Sequence, residues 1–193
     1  MTPGIETTVK NQKDVVNGID IAALKRTAAE IASDPAQGKT NWRVSTWWKG
    51  GTRSDTRVTS CAVGKAVVKK DFTISIDEPV ELCGTNQFPN PQEYLLAALN
   101  ACMMVGYTAA FALEGITLRE LRIESGGDID LRGFLGLDPA VKPGYDRIQY
   151  TVYVKSDGTP AQLERIHDTV CRTSPNRFNL SQPIRLDARL VAE

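Results

Sequence analysis

One long apolar segment constrains the fold of this chain more than any other feature. Residues 90–104 read Asn-Pro-Gln-Glu-Tyr-Leu-Leu-Ala-Ala-Leu-Asn-Ala-Cys-Met-Met, and apolar residues continue to Leu113. Pro91 suits the first turn of a helix, where its missing N–H is harmless, and Gly115 suits the helix end. Apolar residues lie on every face of this predicted helix, so every face must be buried. One small sheet covers one side, which favours a second subunit as the cover for the other.

Shorter patterns on either side of this segment predict the remaining elements. Before it we expect a helix over 21–33, capped by Asp20, and then strands over 43–48, 57–62, 63–68 and 71–77. After it we expect strands over 118–131 and 145–155, a helix from Thr159 to about residue 173, and a last strand over 184–190. Because the strands cluster instead of alternating with helices, the order predicts an α+β fold with antiparallel sheets.

Composition narrows the function classes. Lys plus Arg and Asp plus Glu both number 23 among 193 residues, so no charge excess points to nucleic acid or a membrane surface. The apolar segment approaches the length of a membrane span, but Asn100, Gly106 and Thr108 interrupt it and favour burial within protein. The first 13 residues lack the apolar core of an export signal, so the cytoplasm is the expected location.

The four cysteines, at positions 61, 83, 102 and 171, are widely and irregularly spaced. With no C-x-x-C pair and a single histidine, the sequence argues against a zinc site, and no flavin or nicotinamide motif is visible. Each thiol is therefore either a packing residue or a reactive group. Cys102 lies about three turns into the predicted helix. His167 and Cys171 share a helix face, either as a nucleophile pair or as unrelated neighbours.

The segment around Cys102 resembles the central helix of the OsmC/Ohr family, the osmotically inducible and organic hydroperoxide resistance proteins. Further matches are Asp77-Glu78-Pro79, the loop over 133–144, and Ser174-Pro175. The resemblance covers about residues 41–193 as an OsmC-like domain and leaves 1–40 as an N-terminal helical extension. It implies an intertwined homodimer in which antiparallel sheets wrap around long central helices.

The resemblance also implies a site. Cys102 matches the peroxide-reacting cysteine, which must be a thiolate to attack. The family supplies a cation from an arginine in a Gly-Gly-Arg turn. Arg53 matches it with one extra residue after the glycines, and Arg57 is the alternative. Arginine suits this role because it stays charged.

Two further positions bear on that site. A glutamate that orients the arginine in the peroxidase branches aligns with Gln92, and Glu93 is the next residue. The family's resolving cysteine, in a Cys-Pro pair, aligns with Ser174, whose hydroxyl cannot form a disulfide. Cys171, one helical turn earlier, is then either a substitute resolving thiol or an inert core residue. Attack by an external thiol is the third route.

The function implied by the resemblance is thiol-dependent reduction of organic hydroperoxides without a cofactor or metal. Its partners would be the peroxide and an external reductant, either a low-molecular-weight thiol or a lipoylated protein. The apolar loop from Phe134 to Leu137 would help shape a pocket for apolar peroxides. Gln92 and Ser174 keep open an alternative, a dimer that binds a small apolar ligand without a peroxidase cycle. A purely structural or regulatory dimer is the third possibility.

Overall fold

The computed structural model describes residues 15–192 and divides the chain into two compact units, one up to Leu95 and one from Leu96. The first unit begins with a short antiparallel pair, β1 (Val15–Val16) and β2 (Ile19–Asp20). The helix α1 (Ile21–Ser33) follows, and its first turn is capped as expected, since Asp20 accepts a hydrogen bond from the Ala23 N–H at 2.9 Å.

An antiparallel sheet completes the first unit. Its strands are β3 (Thr40–Trp42), β4 (Ser45–Trp48), β5 (Ser54–Val63) and β6 (Ala66–Ile76). β3 and β4 pair with opposite ends of β5, while β6 pairs along its length. The predicted strands over 63–68 and 71–77 are therefore wrong as separate elements. Gly64 has a positive φ of 56° and forms the turn, after which β6 runs without interruption.

The β4–β5 hairpin confirms the turn predicted at Gly50-Gly51. Both glycines have positive φ, 95° and 56°, which side chains with a Cβ rarely adopt. Arg53 closes the loop, because its N–H donates to the Gly50 carbonyl at 3.1 Å and its carbonyl accepts from the Lys49 N–H at 2.9 Å. The hairpin thus fixes the backbone that carries Arg53.

Asp77 ties this hairpin loop to the loop that precedes the long helix. Its side chain is fully buried and accepts hydrogen bonds from the Thr52 hydroxyl at 3.0 Å and from both the hydroxyl and the N–H of Thr85. The Gln87 N–H donates to the same carboxylate at 3.2 Å. The motif Asp77-Glu78-Pro79 therefore has a structural role that follows from its buried carboxylate.

The long helix α2 (Pro91–Leu113) confirms the central prediction of the sequence. Its buried residues Leu99, Met103, Tyr107 and Phe111 recur every four positions and therefore form one face. By length and composition this helix would also suffice to span a bilayer. Here its buried face forms the core of the second unit, together with Ile116, Ile123, Ile166 and Val170.

The other elements of the second unit surround that core. They are β7 (Leu118–Gly126), α3 (Leu131–Phe134), β8 (Gln149–Ser156), α4 (Pro160–Thr173) and α5 (Pro175–Ser181). β7 and β8 form an antiparallel pair. The predicted strand over 118–131 ends early at Gly126, and Leu131 instead begins α3, which Asp130 caps. The α+β class with antiparallel sheets is confirmed.

The last predicted strand, over 184–190, is wrong for this chain. The described residues after α5 have no strand assignment, and Leu186 and Leu190 are 87% and 95% exposed. An alternating pattern forms a strand only where a neighbouring strand offers hydrogen bonds, and in the described chain this segment pairs with none. The boundary at residue 40 stays a prediction, and residues 1–14 lie outside the described part.

Candidate functional site

Cys102 is carried by a helix whose start is firmly capped. The Asn90 side-chain oxygen accepts a hydrogen bond from the Glu93 N–H at 2.9 Å, and the Glu93 carboxylate accepts one from the Asn90 N–H at 2.7 Å. This reciprocal pair is a capping box, which satisfies two otherwise unpaired N–H groups at the beginning of α2. The structure therefore places Glu93 in the helix cap, and Gln92 beside it is exposed.

The Cys102 sulfur faces the junction between α4 and α5. The Ser174 hydroxyl donates a hydrogen bond to the sulfur at 3.5 Å, and the Asn176 N–H donates a second at the same distance. Ser174 is only 4% exposed, while Cys102 is half-buried. The sulfur is thus held by two donors and is not sealed in hydrocarbon.

The junction is fixed to α2 by more than the sulfur contacts. The Asn176 side-chain amide donates to the Ala98 carbonyl at 2.9 Å, one helical turn before Cys102. The Ser174 N–H closes α4 by donating to the Val170 carbonyl, and Pro175 begins α5. Alignment by resemblance put Ser174 in the place of a cysteine that pairs with Cys102, and the structure brings these two side chains together.

The two candidate arginines belong to the first unit, whereas Cys102 belongs to the second. The Arg53 guanidinium carbon lies 5.3 Å from the centre of the Phe88 ring, a cation–π contact. Arg57 is exposed on β5 and, with Trp47 and Trp48, lines a shallow cleft. The pairing of either arginine with Cys102 stays a prediction.

Cys171 contacts a different set of residues. Its sulfur lies 3.5 Å from the Tyr150 hydroxyl and 3.6 Å from Nε2 of His167. All four cysteines are free thiols. Ser174, and not Cys171, is the residue of this junction that contacts the Cys102 sulfur. The role of Cys171 as a substitute resolving thiol therefore stays a prediction.

Sequence reasoning missed several residues of these two clusters. The only sequence indication for Asn176 is that it follows Ser174-Pro175, and a serine followed by a proline often begins a helix. Tyr107, Tyr150 and Arg177 come from elements remote in sequence, and no local pattern marks them as neighbours of Cys171. Such contacts are set by tertiary packing.

An α+β fold of antiparallel sheets, with a long helix that presents a cysteine to the junction of two later helices, defines a class of small thiol-bearing proteins. The family model described as OsmC-like protein matches residues 84–189, more than half of the sequence, and the chain belongs to this family. The match includes Cys102, Cys171 and Ser174.

Solved structures share the same fold. An OsmC-like protein from Mycoplasma pneumoniae is 16% identical with a TM-score of 0.57, and the match covers 73% of this chain and 87% of that one. An OsmC-like protein of unknown function from Vibrio cholerae is 12% identical with a TM-score of 0.54, covering 71% and 91%. No curated protein gives a significant match.

Proposed function

We propose that this protein reduces organic hydroperoxides with Cys102 as the reacting thiol. The observation that supports this most directly is the sulfur's position, half-buried on a rigid helix and facing two hydrogen-bond donors, Ser174 and Asn176. Hydrogen bonds donated to a charged group stabilise it, and the thiolate is the form that attacks a peroxide.

The proposed step is a two-electron oxidation of sulfur. The Cys102 thiolate attacks the terminal oxygen of the hydroperoxide, the O–O bond breaks, and the sulfur keeps the oxygen as a sulfenic acid. The alkoxide leaves and takes up a proton to become an alcohol. We assign the stabilising cation to Arg53, with Arg57 as the alternative, on the strength of the family resemblance.

We assign the return step to an external thiol, because the Ser174 hydroxyl cannot supply a second sulfur and the Cys171 sulfur contacts Tyr150 and His167 instead of Cys102. A thiol attacks the sulfenic sulfur, water leaves, and a mixed disulfide forms. A second thiol then releases Cys102 and carries away the oxidising equivalents as a disulfide. The reductant is a low-molecular-weight thiol or a lipoylated protein.

A peroxide assay tests this function. Purified protein is mixed with cumene hydroperoxide and with dithiothreitol, a lipoylated donor or no thiol, and peroxide loss is followed. We expect turnover only with a thiol and none for Cys102→Ser, while Cys83→Ser, which alters an exposed thiol, keeps the native rate. No turnover by the native protein with either donor, or equal turnover by Cys102→Ser, would contradict the proposal.

We further propose that the protein acts as a homodimer. α2 leaves apolar side chains uncovered in the described chain: Val105 is 71% exposed and Leu113 48% exposed. A helix that is apolar on all sides needs cover on all sides. A second copy of the chain offers the same apolar helix and is the partner that the family resemblance implies.

A second candidate function, binding of a small apolar ligand, is favoured by one observation. Phe134, the last residue of α3, and Leu135 and Leu137 just after it are each more than half exposed. Calorimetry with cumyl alcohol, which has the peroxide's shape without its O–O bond, tests this alternative. Saturable binding by a protein that consumes no peroxide would favour the ligand-binding function.

A further inference from the structure

We propose that Cys171 is a second reactive thiol, which exchanges with small disulfides that carry carboxylate groups in a cleft beside it. This chemistry is separate from peroxide reduction and does not use Cys102. The proposal rests on a network of side chains from three helices and one strand, which the described structure brings together around the Cys171 sulfur.

The first part of this network is a base, His167, and a group that orients it, Tyr107. Nε2 of His167 lies 3.6 Å from the Cys171 sulfur, and Nδ1 of the same ring lies 2.5 Å from the Tyr107 hydroxyl. The His167 ring also stacks on the Tyr107 ring, with centroids 6.0 Å apart. A nucleophile, a base within reach and a third group that orients the base are the parts of an activated thiol.

Tyr107 is suited to hold the imidazole in place. Its side chain is 1% exposed in the core face of α2, so its position is set by packing. Burial, and next the charge of Cys171, raise the pKa of Tyr107. The side chain therefore stays a neutral phenol, whose oxygen can accept a hydrogen bond from Nδ1–H when His167 carries the thiol's proton on Nε2.

A cation, Arg177, is connected to the sulfur through Tyr150. The Arg177 Nε donates to the Tyr150 hydroxyl at 2.9 Å, and that hydroxyl lies 3.5 Å from the Cys171 sulfur. Another Arg177 nitrogen donates to the Cys171 carbonyl at 2.7 Å. The hydrogen bond with Tyr150 raises the pKa of Arg177, which keeps the guanidinium charged. The C-terminal end of α4 carries partial negative charge and by itself disfavours a thiolate. The positive charge of Arg177 offsets this effect.

Cys171 lines a cleft of about 370 Å³, which is the size of a small-molecule site. Two arginines, Arg172 and Arg177, and one carboxylate, Asp168, line it, so the lining carries a net positive charge. Neither arginine forms an ion pair within the described part of the chain. Phe178, 60% exposed, adds an apolar wall. A small disulfide with carboxylate groups fits this combination of charge and apolar surface.

The exchange step balances without any further reactant. Cys171 gives its proton to Nε2 of His167, and the thiolate attacks one sulfur of the bound disulfide. The new sulfur–sulfur bond forms as the old one breaks, and the leaving thiolate takes the proton back from the imidazolium. The product is a mixed disulfide at Cys171 and one free small thiol.

Two disulfide probes of opposite charge test the proposal in the intact protein. One is the anionic 5,5′-dithiobis(2-nitrobenzoate) and the other is the cationic cystamine, and peptide mass spectrometry measures the labelling rate of each cysteine. Cys83, exposed in a loop, provides the internal reference. We expect Cys171 to react faster than Cys83 with the anionic probe and to lose that advantage with the cationic one.

Variants separate activation from simple exposure. His167→Gln should slow labelling of Cys171 about tenfold at neutral pH, since a positioned base contributes at least that much. Tyr107→Phe should shift the pH profile of the same reaction, and Arg172→Gln should narrow the preference for the anionic probe. The ionisable groups that shape this profile are His167 and Tyr150 at the sulfur, Tyr107 behind His167, and Asp168, Arg172 and Arg177 in the cleft. Labelling of Cys171 no faster than Cys83, or unchanged in a folded His167→Gln, would overturn the proposal.

Discussion

The Ser174 hydroxyl lies at the point where a second sulfur would complete a redox pair with Cys102. We expect Ser174→Cys to form an intramolecular disulfide on peroxide treatment, because the present 3.5 Å separation closes to a sulfur–sulfur bond of about 2 Å with a small shift. Non-reducing peptide mapping detects the linked peptides. In Ser174→Ala, the matched control, Cys102 should stop at the sulfenic acid. No linkage in the cysteine variant would mean that the two positions do not approach in solution.

Asp77 makes a pH-dependent contribution to stability. The hydrogen bond from the Thr85 hydroxyl is the main cause that lowers the pKa of Asp77, and bonds from the Gln87 N–H and the Thr52 hydroxyl act in the same direction. Because the pKa is lower in the folded state, the stabilisation is complete above the unfolded value of about 4 and is lost as pH falls below it. The gap in Tm between the native protein and Asp77→Asn should therefore be largest near pH 7.

That gap should shrink as pH falls below about 4, and thermal melts over a pH series measure it. Thr52→Val, which removes one donor to the carboxylate, should show a smaller gap with the same pH dependence. A gap that stays constant down to low pH would show that the Asp77 charge contributes nothing.

Residues found from the sequence and residues found only in the structure differ in one physical respect. Cys102 and Ser174 lie in local motifs that can be matched residue by residue. The contact of Tyr107 with His167 joins positions 60 residues apart, and only the packing of α2 against α4 creates it. The sequence suggested His167 and Cys171 as a possible pair but offered no orienting group.

At the scale of elements, the start of α2 depends on its capping box. Asn90→Ala should lower the free energy of unfolding by about 1 kcal/mol, the usual effect of losing an N-cap side chain. Urea denaturation measures the change. Gln92→Ala, two residues later on an exposed position, is the control and should leave the midpoint nearly unchanged. Equal losses for both variants would indicate that the cap adds nothing.

Local signals predicted helices better than strands in this chain. α1, α2 and α4 begin near cap residues or prolines, and each was predicted from those signals. The alternation over 184–190 is real, but a strand also needs a partner edge, which sequence periodicity does not reveal. The register of β5 with three other strands likewise follows from tertiary pairing.

At the scale of the whole molecule, the exposed side of α2 accounts for the proposed dimer. Val105→Glu places a charge on an apolar position that is 71% exposed in the single chain, so it should weaken self-association without disturbing the core. Light scattering coupled to size-exclusion chromatography should show a shift toward monomer. Ala161→Glu, on the exposed start of α4, is the matched control and should keep the native mass. A monomeric native protein would contradict the dimer.

The most direct test of the central claim is to determine which cysteine sulfur is oxidised first. The protein is treated with less than one equivalent of cumene hydroperoxide, sulfenic acids are trapped at once, and peptide mass spectrometry locates the added oxygen. The proposed function requires that Cys102 gain the oxygen before the exposed Cys83 and before Cys171. Oxygen found first on Cys83, or spread equally over the three accessible thiols, would contradict it.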